Sequence, residues 1–299
     1  MHFKTVALIG RHQDHGLDGP LRQLARTLQE AGCQVLIEEE TAHNTGFKDQ
    51  PSASYQQIGQ HADLAVIMGG DGTMLGAARQ LARHHVPLIG INHGRLGFIT
   101  DIPLHDATNA LRRVISGHFE IEERIFLEGE IVRGGQTLYK SMALNDIVIN
   151  RAARGGMIDL RVELDDEFMH SQRADGLIVS TPTGSTAYAL SANGPILHPA
   201  LNAMLLVPIA PQTLSNRPIV LPGSGTLSIT LSDLGRVTSG ATVNFDMQTW
   251  SDSQAGDRIN IRVANDTVRL IHPAGYSFFS TLRRKLHWNR IPSWTDEDD

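Results

Sequence analysis

The stretch Leu64–Thr73 reads LAVIMGGDGT. Its first five residues form a continuous apolar run, which is typical of a strand covered on both faces of a sheet. The glycine-rich turn that follows leads into an amphipathic pattern over Thr73 to His85, which predicts a helix. Ligands of open α/β sheets bind beyond the carboxyl ends of the strands, so this turn is a candidate functional site.

The turn Gly69-Gly70-Asp71-Gly72 suits an anionic ligand. Glycines let backbone N–H groups approach a phosphate, and a helix N-terminus adds partial positive charge. Asp71 could orient a hydroxyl and accept its proton, or reach a metal ion through water. The alternative is a tight turn in which Asp71 is only the N-cap of the helix. The turn has neither the GxGxxG nor the GxxxxGK[ST] spacing.

The segments on either side of this turn alternate between strand and helix patterns. Strands are predicted at Val6–Gly10, Gln34–Ile37 and Pro87–Ile91, and a helix at Leu21–Ala31. Strands that alternate with helices imply a parallel, doubly wound sheet.

The pattern changes after about residue 120. Short runs rich in Val, Ile and Thr are separated by Gly, Asp, Asn and Ser, which is an all-β pattern. A final helix is predicted at Phe278–Trp288, followed by a disordered acidic tail, TDEDD. The strand-like runs are Phe126–Val132, Ile147–Asn150, Ile158–Leu164, Gly176–Ser180, Thr226–Leu231, Arg258–Val263 and Thr267–His272.

Composition narrows the class of protein. The 299 residues carry a formal net charge of −6, which disfavours a nucleic-acid partner. We expect no membrane segment, because no run approaches the roughly 18 apolar residues that a spanning helix needs, and the N-terminus reads as a strand rather than a signal peptide. Cys33 is the only cysteine, so an intrachain disulfide is impossible and a reducing, cytoplasmic location is expected.

A second motif, DGLIVSTPTGSTAY, runs from Asp175 to Tyr188. A strand leads into residues 180–186, of which five of seven carry hydroxyls that could bind ribose or phosphate oxygens. The alternative is a Ser/Thr-rich turn that caps a short helix at Ala187–Ser191. A third signal, Asn145-Asp146, could bracket a ribose diol, although a turn is the better interpretation of such a dipeptide alone.

Taken together, these motifs resemble the NAD kinase family. The family pattern has a GGDGT turn, an NxGxLGF segment, an N[DE] pair and a DGxxxSTPTGSTAY block, in that order. The resemblance extends over roughly residues 5 to 288. The matching segments here are Gly69–Thr73, Asn92–Phe98, Asn145-Asp146, Asp175–Tyr188, Leu190–Pro199 and Leu214–Pro218.

The resemblance implies an α/β plus all-β fold, with a Rossmann-like N-terminal domain, a C-terminal β-sandwich and NAD between them. We place the α/β domain at residues 1–120 plus 273–299 and the sandwich at 121–272. The implied activity is the ATP-dependent phosphorylation of the 2′-hydroxyl of NAD's adenosine ribose to give NADP. Family members are usually homodimers or homotetramers.

The resemblance also assigns roles to residues. Asp71 would be the general base and Gly72 would lie against the substrate. The sequence reads FDMQ at residues 245–248 where the family more often has DGQ, which weakens the assignments of Asp246 and Gln248. The implied NAD contacts are Asp71, Gly72, Asn145, Asp146, Asp175, Thr186, Ala187, Tyr188, Ser191, Ala210 and Gln248.

Phosphoryl transfer also needs charge neutralisation. We expect a divalent cation, Mg²⁺, held mostly by ATP and water, because no cluster of carboxylates offers a protein cage. Arg173 is a donor-side candidate: in the resembling family a large basic residue here accompanies ATP use, and a small one accompanies tolerance of polyphosphate. The alternative is a surface salt bridge from Arg173 to Asp165 or Asp166.

Two competing functions share some of these features. A lipid or sugar kinase can carry GGDG, but the chain lacks an apolar or basic membrane-docking stretch. A silent dinucleotide sensor would be favoured by loss of Asp71, which is present. Residues 283–285, RRK, read as the solvated face of the last helix. Arg11, His12 and His15 fit either donor-phosphate contacts or a surface loop.

Overall fold

The structure is a computed structural model that describes residues 2–11, 15–94, 97–152, 156–232 and 240–288. The chain divides into two compact units. Unit 1 contains the residues up to Glu123 and those from Val268 onward, and unit 2 is Arg124–Thr267. The predicted acidic tail, His12 and the side chain of His15 lie outside the described residues.

Unit 1 is built on a parallel sheet. Its strands are β1 (Thr5–Gly10), β2 (Gln34–Glu38), β3 (Ser52–Ala53), β4 (Leu64–Gly69), β5 (Leu88–Asn92) and β6 (Ile102–Pro103). Their order is β3-β2-β1-β4-β5, and β6 pairs with β5 as well. Every residue of β4 is buried, as its continuous apolar run predicts.

In the described part of unit 1, five α-helices precede the β-rich segment. They are α1 (Asp18–Glu30), α2 (Glu39–Thr45), α3 (Tyr55–His61), α4 (Asp71–Leu81) and α5 (Ala107–Ile115). The longest, α1, buries Leu21, Leu24, Ala25 and Leu28, the face that the sequence pattern predicts. No helix within the described ranges combines the length and the apolar character needed to cross a bilayer.

Unit 2 contains antiparallel strands and one short helix. Its elements are β7 (Phe119–Arg133), which begins in unit 1, β8 (Gln136–Ala143), β9 (Asp146–Arg151), β10 (Ile158–Leu164), β11 (Glu167–Ala174), β12 (Gly176–Ser180), α6 (Tyr188–Ser191), β13 (Ala203–Ile209), β14 (Ile219–Pro222), β15 (Leu227–Leu231), β16 (Ala241–Phe245) and β17 (Thr249–Ser253). Six of these strands form a sheet in the order β14-β13-β12-β9-β16-β17.

The last elements are β18 (Arg258–Pro273) and α7 (Phe278–Leu286). In unit 2, β18 pairs antiparallel with β15, and β15 pairs with β10. This second group of strands shares one buried core with the six-stranded sheet, which makes unit 2 a sandwich. The later part of β18 lies in unit 1, parallel to β5. The two strands predicted at Arg258–Val263 and Thr267–His272 are therefore one strand. The predicted fold class is confirmed.

A buried histidine ties β18 to the segment that follows β5 in unit 1. His272 is 1% exposed, and its Nδ1 lies 3.1 Å from Asp101 Oδ2 while its Nε2 lies 3.3 Å from Glu122 Oε2. The ring stacks on Tyr276 at 3.8 Å between centroids. Burial lowers the pKa of His272, but hydrogen bonds to the two carboxylates, and their charges, outweigh it, so the net pKa is raised.

We therefore predict that His272 stabilises the protein more at acid than at alkaline pH. A folded-state pKa above the unfolded value of 6.5 gives stabilisation that is full below that value and is lost as the pH rises through the folded pKa. The measurement is the free energy of urea unfolding of the native protein minus that of His272→Gln, at about pH 6 and about pH 9. An equal difference at both pH values would contradict the prediction.

Candidate functional site

The GGDG turn connects a buried strand to the first turn of a helix. β4 ends at Gly69, Gly70 occupies the N-cap position, and α4 begins at Asp71. The interpretation of Asp71 as the N-cap is therefore wrong. Position 69 requires glycine, because a Cβ there would lie 2.4 Å from Thr73 Oγ1. An acidic side chain in the first turn is favoured by the helix dipole.

The Asp71 carboxylate is fixed by a segment from elsewhere in unit 1. Its Oδ2 accepts a hydrogen bond from Phe98 N (2.8 Å). Its Oδ1 accepts from Ile99 N (3.3 Å), Thr100 N (3.1 Å) and Thr100 Oγ1 (2.8 Å). A carboxylate offers about four lone-pair positions, two on each oxygen. Oδ2, with one of these bonds against three on Oδ1, is therefore the oxygen better placed to accept a proton.

The motif NxGxLGF, at Asn92–Phe98, leads into the segment that holds Asp71. Asn92 ends β5, lies opposite Gly69 of β4, and donates from Nδ2 to Thr100 Oγ1 at 3.1 Å. A Cβ at Gly97 would lie 1.8 Å from Asp71 Oδ1 and 2.3 Å from Thr100 Oγ1, so only glycine fits here. Neither Gly97 nor Thr100 was assigned a role from the sequence. The glycine that precedes Phe98 in the motif was the one signal that could have identified position 97.

In unit 2, Asp246 organises the Asn145-Asp146 pair. Its carboxylate accepts from the backbone N–H groups of Leu144 (3.0 Å), Asn145 (2.7 Å) and Asp146 (3.3 Å). Asp246 and Met247 both have positive φ, 52° and 54°, in the turn between β16 and β17. The FDMQ sequence departs from the family pattern, but it keeps a buried aspartate that accepts three backbone hydrogen bonds.

Asp146 is the most strongly perturbed carboxyl of this cluster. It is 3% exposed, and burial, together with the charge of Asp246, raises its pKa to about 7. Near neutral pH the group therefore exists in both protonation states. The protonated carboxyl can donate a hydrogen bond as well as accept one, which suits recognition of a hydroxyl or an amide.

The hydroxyls of residues 180–186 bond within unit 2. Thr181 Oγ1 donates to Leu144 C=O (2.5 Å), and Ser180 Oγ to Asn145 C=O (3.2 Å). Ser185 Oγ donates to Pro182 C=O at 2.6 Å. Thr183 Oγ1 accepts from Arg124, and Thr186 Oγ1 donates to Thr183 C=O. Thr181 and Ser180 hold the loop against residues 144–145, and the other three hydroxyls bond within the loop or to Arg124. The geometry therefore favours the structural interpretation over direct use of all five on a ligand.

The predicted NAD residues of unit 2 form two groups at opposite ends of β12. At its carboxyl end, Ser180 pairs with Asp146 and its hydroxyl bonds to Asn145, and the segment that follows β12 carries Thr186 and Ala187. At its amino end, Asp175 forms an ion pair with Arg151 (2.9 Å), and its N–H donates to Ile209, the neighbour of Ala210.

Exposure differs among the predicted contacts. Gly72, Tyr188, Ser191 and Ala210 are exposed, whereas Asn145, Asp175, Thr186, Ala187 and Gln248 are half-buried.

Arg173 is held by an acid on the neighbouring strand. Its guanidinium makes a bidentate pair with Asp159, with Nε–Oδ1 at 3.0 Å and Nη2–Oδ2 at 2.7 Å, across the β10–β11 register. The suggested partners, Asp165 and Asp166, instead engage Thr226 N and Arg258. The salt bridge of Arg173 is therefore made to Asp159 rather than to Asp165 or Asp166, and it supports the salt-bridge alternative for this side chain.

Comparison with known proteins gives matches along nearly the whole chain. Residues 6–119 match the family model of the ATP-NAD kinase N-terminal domain, and residues 144–273 match that of the C-terminal domain. An NAD kinase from Bordetella avium is 65% identical over 296 residues, covering 99% of both chains. One from Paraburkholderia phytofirmans is 53% identical over 297 residues, covering 99% of this chain and 97% of its own.

Two solved structures share the fold. A yeast NADH kinase complexed with NADH superposes with a TM-score of 0.88 at 25% identity, covering 99% of this chain and 91% of its own. An NAD kinase from Archaeoglobus fulgidus in complex with ATP gives a TM-score of 0.74 at 25% identity, covering 95% and 98%.

Gly97→Ala should destabilise unit 1, because the new methyl group displaces the Asp71 carboxylate from its hydrogen bonds. We expect a loss of about 1–3 kcal/mol in the free energy of unfolding, typical of an overpacked site. Gly19→Ala is the matched control: a Cβ there meets nothing within 4 Å, and it lies in α1, where alanine is favoured. Denaturant unfolding of both variants tests this, and native stability in Gly97→Ala would contradict it.

Proposed function

The chain belongs to the NAD kinase family, and from that premise we propose that Asp71 is its general base. The protein is an ATP-dependent kinase that phosphorylates the 2′-hydroxyl of NAD's adenosine ribose to give NADP. The observation that carries the assignment is the Asp71 carboxylate at the N-terminus of α4, held by residues 98–100 with Oδ2 accepting the fewer bonds.

The step requires one bond to form and one to break. The ribose 2′-oxygen attacks the γ-phosphorus of ATP, the bond from that phosphorus to the β–γ bridging oxygen breaks, and ADP leaves. Asp71 Oδ2 receives the proton of the hydroxyl. The four hydrogen bonds fix the carboxylate before substrate arrives, so little reorganisation is needed during the reaction.

Residues of unit 2 are proposed to hold NAD. Asn145 and Asp146 would take the ribose or nicotinamide portion, since the amide and a carboxyl with a pKa of about 7 supply both donors and acceptors. The other proposed NAD contacts, which retain the roles that the family resemblance implies, are Gly72, Asp175, Thr186, Ala187, Tyr188, Ser191, Ala210 and Gln248.

We propose that a divalent cation, Mg²⁺, accompanies ATP. The described residues contain no group of three His, Cys, Asp or Glu side chains that could hold a metal, so the protein would leave most of its coordination to phosphate oxygens and water. Such an ion supplies charge neutralisation on the donor phosphates. A homodimeric or homotetrameric assembly and a cytoplasmic location are further parts of this proposal.

Asp71→Asn should lower kcat by about 10²–10⁴, the usual contribution of a general base, while NAD still binds. In Asp71→Asn the new amide nitrogen could face the Phe98 N–H and disturb the hydrogen bonds around position 71. Thr100→Val is the matched control for such a disturbance, because it removes one hydrogen bond to the carboxylate but leaves the base. Its kcat should fall much less. The readout is NADP formation, coupled to an NADP-specific dehydrogenase. Turnover of Asp71→Asn near the native rate would eliminate the assignment.

Arg173 is proposed to favour ATP over inorganic polyphosphate, with Asp159 aiming its guanidinium. Arg173→Gly should widen donor choice more than it changes the KM for NAD. Asp159→Asn keeps the guanidinium but loosens it, so it should give a smaller change in the same direction. NADP formation is measured with each donor. Efficient use of polyphosphate by the native protein, or an unchanged donor ratio in Arg173→Gly, would reject the proposal.

A further inference from the structure

The basic run at the end of α7 does not form one solvated face. Arg283 and Arg284 are exposed, as the sequence suggests, but Lys285 is half-buried. Thr281 and Leu282 are buried, and residues three and four positions apart lie on the same side of a helix. Lys285 therefore extends from the face of α7 that packs inward.

The Lys285 ammonium lies beside the segment that holds Asp71. Its Nζ is 5.5 Å from the centroid of the Phe98 ring, within the range of a cation–π contact. The backbone N–H of Phe98 donates to Asp71 Oδ2 at 2.8 Å. The ammonium, the aromatic ring and the carboxylate thus form one cluster in unit 1, at the N-terminus of α4.

The Lys285 ammonium interacts electrostatically with the Asp71 carboxylate. Burial lowers the pKa of the ammonium, the charge of Asp71 opposes this, and Arg284 adds to the lowering. A partly desolvated cation costs free energy, so its position calls for a compensating role. The Asp71 carboxylate already accepts four hydrogen bonds from residues 98–100, so a lysine is not needed to hold it in place.

A phosphoryl group is the ligand that fits this cluster. The reaction brings a polyanion to Asp71, and phosphoryl transfer spreads negative charge over the oxygens of the transferred group. A lysine is a flexible point charge with three donors, well suited to a phosphate oxygen. We propose that Lys285 binds an oxygen of the γ-phosphoryl group of ATP beside Asp71, which makes it a further catalytic residue. This inference rests on the proposed placement of the reaction at Asp71.

A purely structural role makes a different prediction. A cation in the last turn of a helix interacts favourably with the helix dipole, which affects unfolding but not the affinity for one substrate. The KM for ATP compared with the KM for NAD therefore separates the two roles. ADP gives a second separation, because it lacks the γ-phosphoryl group.

The experiment compares Lys285→Met with Arg284→Met, a matched loss of one positive charge from an exposed neighbour on the same helix. In Lys285→Met we expect the KM for ATP to rise roughly 10- to 100-fold, as for a lost charge-assisted hydrogen bond. The KM for NAD and the inhibition constant of ADP should stay near native values. Arg284→Met should change none of the three by more than about twofold.

Further measurements guard against a folding defect. Lys285→Arg keeps the charge and should keep most of the ATP affinity, and Lys285→Gln replaces the Met variant if methionine disturbs α7. A native KM for ATP in Lys285→Met would overturn the proposal. Three other results would overturn it as well. They are equal rises in the KM for ATP and for NAD, an equal weakening of ATP and ADP binding, and a loss of ATP affinity in Lys285→Arg as large as in Lys285→Met.

Direct binding separates this inference from the assignment of the base. Calorimetry of ATP and ADP in the Asp71→Asn background, with and without Lys285→Met, reports the contact without turnover. Loss of ATP affinity specific to Lys285→Met supports the contact, even if the kinetics of Asp71→Asn eliminate Asp71 as base. Unchanged ATP affinity in that background overturns the Lys285 contact alone.

Discussion

The hydrogen bonds between the Asp71 carboxylate and residues 98–100 are the constraint on which the site in unit 1 depends. They link the helix that follows β4 to the segment that follows β5, and they explain why position 97 cannot carry a side chain. The same segment continues to Asp101, which is held by the buried His272. The carboxylate is therefore held by a backbone segment that is itself anchored at Asp101, as suits a preorganised acceptor.

Two aspartates in unit 2 show how environment divides one residue type into two roles. Asp246 accepts three backbone N–H groups and shapes the chain at residues 144–146. Asp146, buried beside it, is shifted toward its neutral form, with a pKa of about 7. Burial and a neighbouring like charge commonly separate acids in this way. The pair thus places beside Asn145 a carboxyl that can both donate and accept a hydrogen bond.

The sequence was sufficient for features that depend on local patterns. The apolar run before Gly69 predicted a buried strand, and the Val-, Ile- and Thr-rich runs predicted the β-rich part of the chain. Features that depend on contacts between residues far apart in the sequence could not be predicted from it. The hydroxyls of Thr181 and Ser180 bond to residues 144–145, some 35 positions away, and no local signal reports that.

Strand register and helix packing account for other differences between the predictions from the sequence and the structure. Arg173 meets Asp159 because β10 and β11 pair in that register, which composition alone does not give. Lys285 is half-buried because of what its helix packs against, and its charged neighbours concealed this in the sequence. β18 was divided in two because the polar residues Asn265 and Asp266 interrupt its pattern, close to the place where the strand passes from unit 2 to unit 1.

The discontinuity of unit 1 has a consequence for how the protein is made. Its last strand segment and its last helix, which carry His272 and Lys285, are encoded after the whole of unit 2. During synthesis from the N-terminus, unit 2 is complete while unit 1 still lacks the partner of Asp101. Domains generally fold as units once their sequence is available. Unit 1, whose first residues are synthesised before unit 2, can therefore complete its fold only after the sequence of unit 2 has been made.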